Sequence, residues 1–308
     1  MAFAQGSRSG LSFIEEVTFG VTPAGNFTDL PYNTHSLGLT KDRVQSGEIR
    51  SDRMTTVDRH GNRQVGGDFV VELGSGDYDA WLEAVMFNTF TPDAGNPDRL
   101  TVGTTLKTFS VEDRAEDISQ YRLMSGVAVN QMNVSIAPNQ MINTTFSCVG
   151  KNMTIGSTGK TVDAAAGNDK FDSYSGTLAI GNVGSPVASG LISSIDFSVV
   201  NAINPTFVIG DDTTPFLESG RATVEGTFTA YFEDAALIDR FLDETETAMT
   251  VGVNDPSGTN LYTFGFPRIK INSADVPVSS EQSRMITVSF VALKDDTTGT
   301  NFYIERPE

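Results

Sequence analysis

The segment with the strongest resemblance to a ligand site is GDFVVELGSGDYDAWLEAV, residues 67–85. Apolar residues occupy every second position from Phe69 to Leu73, which is typical of a strand with one buried face. After the turn-forming Gly74-Ser75-Gly76, apolar residues recur at the spacing of an amphipathic helix. A strand that passes through a glycine-rich turn into a helix can hold a phosphate on backbone N–H groups. This segment is therefore a first candidate for a phosphate site.

A second phosphate candidate is GSTGKT, residues 156–161, which resembles the end of a nucleotide-binding loop. That motif requires a glycine five positions before its second glycine, where this sequence has Thr154. No strand pattern ends just before the segment, and no apolar helix pattern follows it. The sequence does not predict a nucleotide site here.

Side chains suited to acid–base or nucleophilic catalysis are scarce. The two histidines, His35 and His60, lie in polar, turn-rich sequence, and the chain contains no G-x-S-x-G elbow and no H-E-x-x-H pair. Cys148 is the only cysteine and alternates with apolar residues, so we expect a core residue, no intrachain disulfide and no cysteine-based metal cluster. No other motif predicts a metal or a cofactor. Asp211-Asp212 and Glu233-Asp234 lie at a turn and before a helix, where acidic residues are usually structural. A two-carboxylate glycosidase remains an alternative, because such pairs converge only in three dimensions.

Length and charge limit the classes of protein. The chain has 308 residues, which favours two domains, and its many Gly, Thr, Val, Phe and Ser residues favour β structure. Its 39 acidic and 21 basic residues give a formal charge of −18, which repels nucleic acid and anionic membranes at long range. We find no pattern of a secretory signal or membrane span and expect a soluble protein made in a reducing compartment.

The sequence contains a diverged repeat. Val65, Gly67, Phe69 and Leu73 recur 159 residues later as Val224, Gly226, Phe228 and Phe232, and an apolar helix pattern follows each set. Further on, Ile142, Thr144, Phe146 and Cys148 match Ile286, Val288, Phe290 and Ala292 at a shift of 144. We predict two tandem domains, residues 1–150 and 174–308, joined by a linker at 151–173 that is rich in small and polar residues.

The repeat argues against the phosphate site. In the second copy the Gly74-Ser75-Gly76 turn is replaced by Glu233-Asp234, and two carboxylates would repel a phosphate. Both copies keep the apolar face of the strand and the apolar stripe of the helix. The repeated unit is therefore interpreted as a strand and the helix that covers it.

Residues 41–63, KDRVQSGEIRSDRMTTVDRHGNR, form a segment that we name the charged arm. It holds six bases and four acids, whereas the matching residues 200–221 of the second copy hold one base and three acids. A solvated hairpin would explain the arm. The alternative hypothesis is that the arms cross between subunits and pair, which would set the register of an assembly. The candidate residues are Arg43, Arg50, Arg53, Arg59 and Arg63 in the first copy and Asp211 and Asp212 in the second.

Three blocks carry a resemblance to a known family: HGNRQVGGDFVVEL at the end of the charged arm, residues 213–242, and residues 266–293. Together they resemble the tail tube proteins of long-tailed bacteriophages, of the class with two tandem tube domains in one chain. The resemblance implies a mainly β protein in which each domain is a β-sandwich or barrel with one flanking helix. It also implies a structural virion protein that is not an enzyme.

The resemblance further implies how such a chain assembles. Rings of six domains stack into a tube, so three subunits would form a pseudo-sixfold ring, with a hexamer of chains as the second possibility. Implied partners are further copies of the chain, the tape measure protein, and the tail terminator and tip proteins, with no membrane. Genomic DNA would pass through the lumen without specific binding, and assembly would take place in the host cytoplasm before the protein resides in the virion tail.

The lumen-facing residues are a further expectation. Asp68 and Glu72 lie opposite the apolar face of the first repeated strand, and the second copy has Thr227 and Tyr231 at those positions, so lumenal charge would alternate around the ring. A β-sandwich adhesin that binds a receptor through its loops remains the alternative to an assembly protein.

Overall fold

The computed structural model describes residues 3–93, 96–188, 192–258, 261–278, 281 and 283–307. These residues form mainly strands, and each half of the chain contributes one α-helix, which confirms the predicted mainly β fold class. The helices are α1 (Asp79–Met86) and α2 (Ala236–Leu242), and short 3-10 turns lie at Gly6–Arg8 and Glu116–Ile118.

The strands fall into two series, one in each half of the chain. The first half contains β1 (Ser9–Glu15), β2 (Phe27–Leu30), β3 (Thr34–His35), β4 (Gly38–Gln45), β5 (Asp58–Glu72), β6 (Thr91–Asp93), β7 (Asn96–Thr101), β8 (Phe109–Ala115), β9 (Gln120–Ile136), β10 (Asn143–Gly150), β11 (Asn152–Gly156) and β12 (Val162–Asp163). The second half contains β13 (Asp172–Asn182), β14 (Ser185–Ala188), β15 (Ile192–Val200), β16 (Asn204–Pro205), β17 (Leu217–Glu218), β18 (Thr223–Tyr231), β19 (Thr247–Asn254), β20 (Leu261–Asp275), β21 (Met285–Ala292) and β22 (Tyr303–Arg306).

The first copy is a sandwich with α1 between its sheets. One sheet has the order β2-β1-β8-β9-β11 and uses the first half of β9, and the other has the order β4-β5-β10-β9 and uses the second half. Trp81 on α1 is fully buried, and its ring lies 4.5 Å from that of Phe109 on β8 and 4.7 Å from that of Phe69 on β5. The helix therefore fills the core that the two sheets enclose.

The second copy repeats this arrangement with β14-β13-β19-β20-β22 and β15-β18-β21-β20. Its core is also aromatic, since Phe266 lies 5.2 Å from Phe197 and 5.5 Å from Phe290 between ring centroids. The helix α2 is less deeply packed than α1, because none of its residues is fully buried.

Two β-bulges fix the residue correspondence between the copies. On β9 the register shifts at Asn130, between the pairs Gln131–Ser147 and Val129–Cys148, and on β20 it shifts at Asn272, between Ser273–Ser289 and Ile271–Phe290. Asn130 therefore corresponds to Asn272 at a shift of 142. The sequence alignment at a shift of 144 is therefore wrong by two residues. The apolar pattern could not reveal this error, because a shift of two residues leaves every side chain on the same face of the strand.

Residues 151–173, predicted as a linker, do connect the two copies but are folded against the first. Here β11 pairs with β9, β12 pairs in parallel with β2, and Phe171 is fully buried. The pattern of small and polar residues did not reveal these pairings, because both strands are short and largely exposed. The domain boundaries at 150 and 174 remain predictions.

The Gly74-Ser75-Gly76 turn, the first phosphate candidate, is occupied by protein groups. The Gly76 N–H donates to the Tyr262 hydroxyl at 2.9 Å, and Asn168 donates to the Ser75 carbonyl at 2.7 Å. Lys170 pairs with the buried carboxylate of Asp77 at 2.5 Å. The turn thus joins three parts of the chain.

Candidate assembly surfaces

One sheet continues from the first copy into the second. We name it the joint sheet; it has eight antiparallel strands in the order β4-β5-β10-β9-β15-β18-β21-β20. At its centre β9 pairs with β15 from Gln131–Val200 to Ile136–Ile195. No pattern in the sequence predicted this pairing, because the alternation within each strand indicates its buried face but not its neighbouring strand.

The two ends of the joint sheet are open. Among the described residues, β4 pairs along one edge only, with β5, and residues 270–275 of β20 pair along one edge only, with β21. By position in the repeat, β4 is the counterpart of β15 and β20 is the counterpart of β9. The open edges are therefore the same two kinds of strand that already pair at the centre of the sheet, and unpaired edges are templates for pairing with another chain.

Two asparagine side chains form hydrogen bonds between the copies at their junction. Asn201, only 2% exposed, follows β15 and donates from its side-chain amide to the carbonyl of Val85 at 2.8 Å and to that of Val129 at 3.3 Å. The Asn130 side chain accepts from the Ile203 N–H at 2.6 Å. The bulge at Asn130 is thus the point where the second copy attaches to the first.

A second connection lies in the opposite sheet. There β22 pairs with β7, so a strand of the first copy extends the outer sheet of the second. Arg306 at the end of β22 reaches Asp98 at 3.1 Å and also pairs with Asp79 on α1. The two copies are therefore joined through both layers.

One face of the joint sheet carries the core and the other is polar. Paired residues on the polar face form a row across six strands: Glu72, Asn143, Ser135, Asp196, Thr227 and Ser289. A concavity on this face is lined by residues that include Asn133, Thr145, Asp196, Ser198 and Glu225, and no lysine or arginine lines it. The described lining of this concavity is therefore neutral to acidic, whereas Lys270 lies on the same face nearer the β20 edge, where it pairs with Val291.

The predicted lumen-facing residues lie on this polar face. Asp68 is exposed and Glu72 is half-buried, and both point away from Phe69 and Val71. The second copy does have Thr227 on this face, yet it also places exposed Asp196 and Glu225 there. Both copies thus carry acidic residues on this face, and the alternation of lumenal charge around a ring stays a prediction. The alternation Ile195-Asp196-Phe197 was the signal that could have identified Asp196.

The charged arm projects as the hairpin of β4 and β5, and every residue from 40 to 60 is exposed. Two of its bases are paired within the arm, since Arg43 contacts Asp58 and Arg50 contacts Asp52, each at 2.7 Å. Lys41, Arg53 and Arg59 make no ion pair with any residue that the structure describes.

Arg63 and Asp212, both candidates for contacts between subunits, meet within one chain. Their side chains lie 3.1 Å apart, and the Arg63 N–H donates to the Asp212 carbonyl at 2.8 Å. Asp211 accepts from the Thr213 N–H at 2.8 Å, which holds the pKa of its carboxyl below the usual range. The roles of Arg43, Arg50, Arg53, Arg59 and Asp211 between chains remain predictions.

Cys148, one of the groups considered for catalysis, lies in the core. Burial raises the pKa of the Cys148 thiol well above its ordinary value. Within the described ranges, no group of three or more His, Cys, Asp or Glu side chains is arranged to hold a metal ion. No helix in the described part of the chain has the length and apolar character needed to cross a membrane.

Comparisons with known proteins add one match. A family model described as phage tail tube protein matches residues 6–292, which include both copies and the segment between them. A search of curated proteins finds no matching sequence.

Proposed function

Since this chain belongs to the phage tail tube protein family and is therefore a structural component of the virion tail, we propose that it assembles into stacked rings that conduct DNA. The observation that carries the proposal is the joint sheet. Its central pairing of β9 with β15 joins two copies edge to edge, and its two ends offer the same pair of strand types to further chains.

The repeat predicts the register of the joint between chains. Val200 on β15 corresponds to Thr40 on β4, and Gln131 on β9 corresponds to Ser273 on β20. Since Gln131 pairs with Val200 inside the chain, Thr40 of one chain would face Ser273 of the next. Closing the ring in this way removes both open edges.

Three chains would complete such a ring with six copies. Each chain supplies eight strands, and strands spaced about 4.8 Å apart give a circumference of roughly 115 Å, which strand tilt widens further. The polar face would line this channel, and the neutral to acidic lining of its concavity suits DNA that must slide, because phosphate binding is driven by Lys and Arg. A hexamer of chains is the alternative assembly.

The test is a pair of engineered cysteines. Thr40→Cys with Ser273→Cys should form a disulfide between chains after oxidation, and Cys148 does not interfere because it is buried. Non-reducing electrophoresis should show covalent dimers and trimers, and native mass spectrometry should show a trimer.

Two control variants fix the interpretation. Gln131→Cys with Val200→Cys should link only within the chain, because these residues already pair. Thr40→Cys with Pro277→Cys is four residues out of register and should link poorly. A protein that stays monomeric at high concentration, and shows no rings by negative-stain microscopy, would contradict the proposal and favour the adhesin.

A further inference from the structure

The junction between the two copies is a template for a second contact between chains. Residues 201–221, the acidic segment, connect β15 to β18 and cross onto the first copy, where Ile203 and Leu217 are buried against Phe87 and Ala128. Arg63 of the first copy pairs with Asp212 at 3.1 Å, and Lys151 adds a smaller lowering of the pKa of Asp211, which is lowered chiefly by its hydrogen bonds from Thr213. An acidic segment thus docks on a site whose charged groups are basic.

The charged arm is the counterpart of the acidic segment, because it connects β4 to β5. The corresponding site on the second copy lies beside the Asn272 bulge and the end of α2. Glu244 marks this place, since it follows α2 in the left-handed conformation (φ 53°) just as Phe87 follows α1 (φ 53°). Asn272 is exposed, so the counterpart of the Asn130 attachment point is free of protein cover within one chain.

This site on the second copy is charged where the first copy is apolar. We name it the second-copy end; its members are Asp243, Glu244, Glu246, Arg268, Lys270, Lys294, Asp295 and Asp296. They form one cluster, since Lys270 contacts Glu244 at 2.6 Å, Arg268 pairs with Glu246, and Arg268 also donates to the Lys294 carbonyl. Its five acids and three bases sum to −2, and one of the acids, Asp295, is buried and accepts from the Thr298 N–H.

The charged arm has the complementary charge. Its six bases and four acids sum to +2, although Arg63 is already paired with Asp212, and three of the bases, Lys41, Arg53 and Arg59, lack an ion pair within the described residues. Its apolar side chains also lack cover, with Ile49 99% and Met54 69% exposed. On the second-copy end Leu242 is 68% exposed. Both surfaces thus offer charge and apolar area that the single chain leaves in solvent.

We propose that the charged arm of one chain docks on the second-copy end of the next chain in the ring. This inference rests on the proposed ring, in which the open edge of β4 meets that of β20 and so brings the two surfaces together. The polarity is reversed relative to the junction inside the chain, where acids reach a basic site. A basic arm would be repelled at the site of Arg63 and Lys151, so the arrangement selects the second copy as its partner.

Carbodiimide cross-linking of assembled wild-type protein tests the contact directly. Rings made from an equal mixture of ¹⁴N and ¹⁵N chains should give mixed-label links that join Lys41 to Asp243, Glu244 or Glu246, or Lys270 or Lys294 to acids of the arm. Mixed-label links from the arm only to other regions, or rings without any such link, would overturn the inference while leaving the ring itself intact. A chain that never assembles would overturn both.

Charge reversal provides a second measurement. Arg53→Glu with Arg59→Glu should weaken self-association about tenfold at low salt, and less at high salt, because exposed charges are screened. Asp243→Arg with Asp296→Arg in the same chain should restore most of the loss. Arg8→Glu with Lys160→Glu, also exposed, is the matched control and should have little effect. An arm reversal that behaves like this control would contradict the docking.

Discussion

The junction between the copies depends on one buried amide, that of Asn201. The carbonyl groups at the end of a helix lack partners within the helix, and the end of α1 finds them elsewhere: Gly103 donates to Met86, Thr105 donates to Phe87, and Asn201 of the second copy donates to Val85. Asn201→Ala would leave the Val85 carbonyl buried without this donor and would remove the weaker bond to Val129.

The cost can be worked from these two bonds. A buried polar group left unsatisfied costs about 1–3 kcal/mol, so we expect Asn201→Ala to lower the free energy of unfolding by about 2 kcal/mol. For a chain of this size that corresponds to a fall in Tm of roughly 4 °C. Asn201→Asp should cost more, because a buried carboxylate would face two carbonyl oxygens instead of donating to them.

Thermal unfolding of the unassembled chain, followed by circular dichroism, is the assay. Asn204→Ala is the matched control, since Asn204 is an exposed asparagine three residues away, and its side chain bonds to no described residue other than the nearby Ala202. Its effect should stay within about 0.5 kcal/mol. If Asn201→Ala and Asn204→Ala unfold at the same temperature, the amide does not hold the copies together and the reasoning fails.

Further predictions concern single residues. Burial lowers the pKa of His35 below 6.5, so the unfolded state binds more protons and stability should fall as pH drops through about 6.5; His35→Gln should abolish this dependence in unfolding at pH 7.5 and 5.5, and an equal pH response would contradict it. Cys148 should resist a thiol reagent in the native protein and react once in urea, whereas rapid native labelling would show that the core is open. Trp81→Ala should cost about 3–5 kcal/mol, measured by urea unfolding, and a loss under 1 kcal/mol would contradict its central packing. Assembled Glu225→Lys tubes should retain duplex DNA at low salt and Asp239→Lys tubes should not, and equal retention would place Glu225 outside the channel.

The local spacing of apolar residues predicted the repeated strand and helix of each copy. The alternation of Phe69, Val71 and Leu73 predicted the buried face of β5, and the stripe that includes Trp81 predicted α1. These elements follow from side-chain period alone, and the repeat predicted that they would occur twice. The family resemblance then predicted the fold class that the structure shows.

Pairing between distant strands could not be predicted from the alternation of apolar and polar residues. The two-residue period of a strand indicates which of its faces is buried but not which strand lies beside it. The pairing of β9 with β15 therefore could not be predicted from the sequence. The same degeneracy concealed the two-residue slip that the bulges at Asn130 and Asn272 reveal. The partner of Arg63 was predicted to lie on another chain, and only the path of the acidic segment shows that Asp212 reaches it within one chain.

The strand β7 has a consequence for how a ring would be built and how it would break. It lies in the 22 residues between α1 and β8, whereas only four residues separate α2 from β19, so the second copy has no equivalent of the β7–β22 pairing. A ring of three chains would therefore contain two kinds of junction. The junctions within a chain are held by two strand pairings and form during folding, whereas the junctions between chains have one strand pairing and form when chains meet. Only three bodies would need to lose their independent translation and rotation, not six, so ring formation would depend on a lower power of protein concentration. Under mechanical load, such a ring would open first at the junctions between chains.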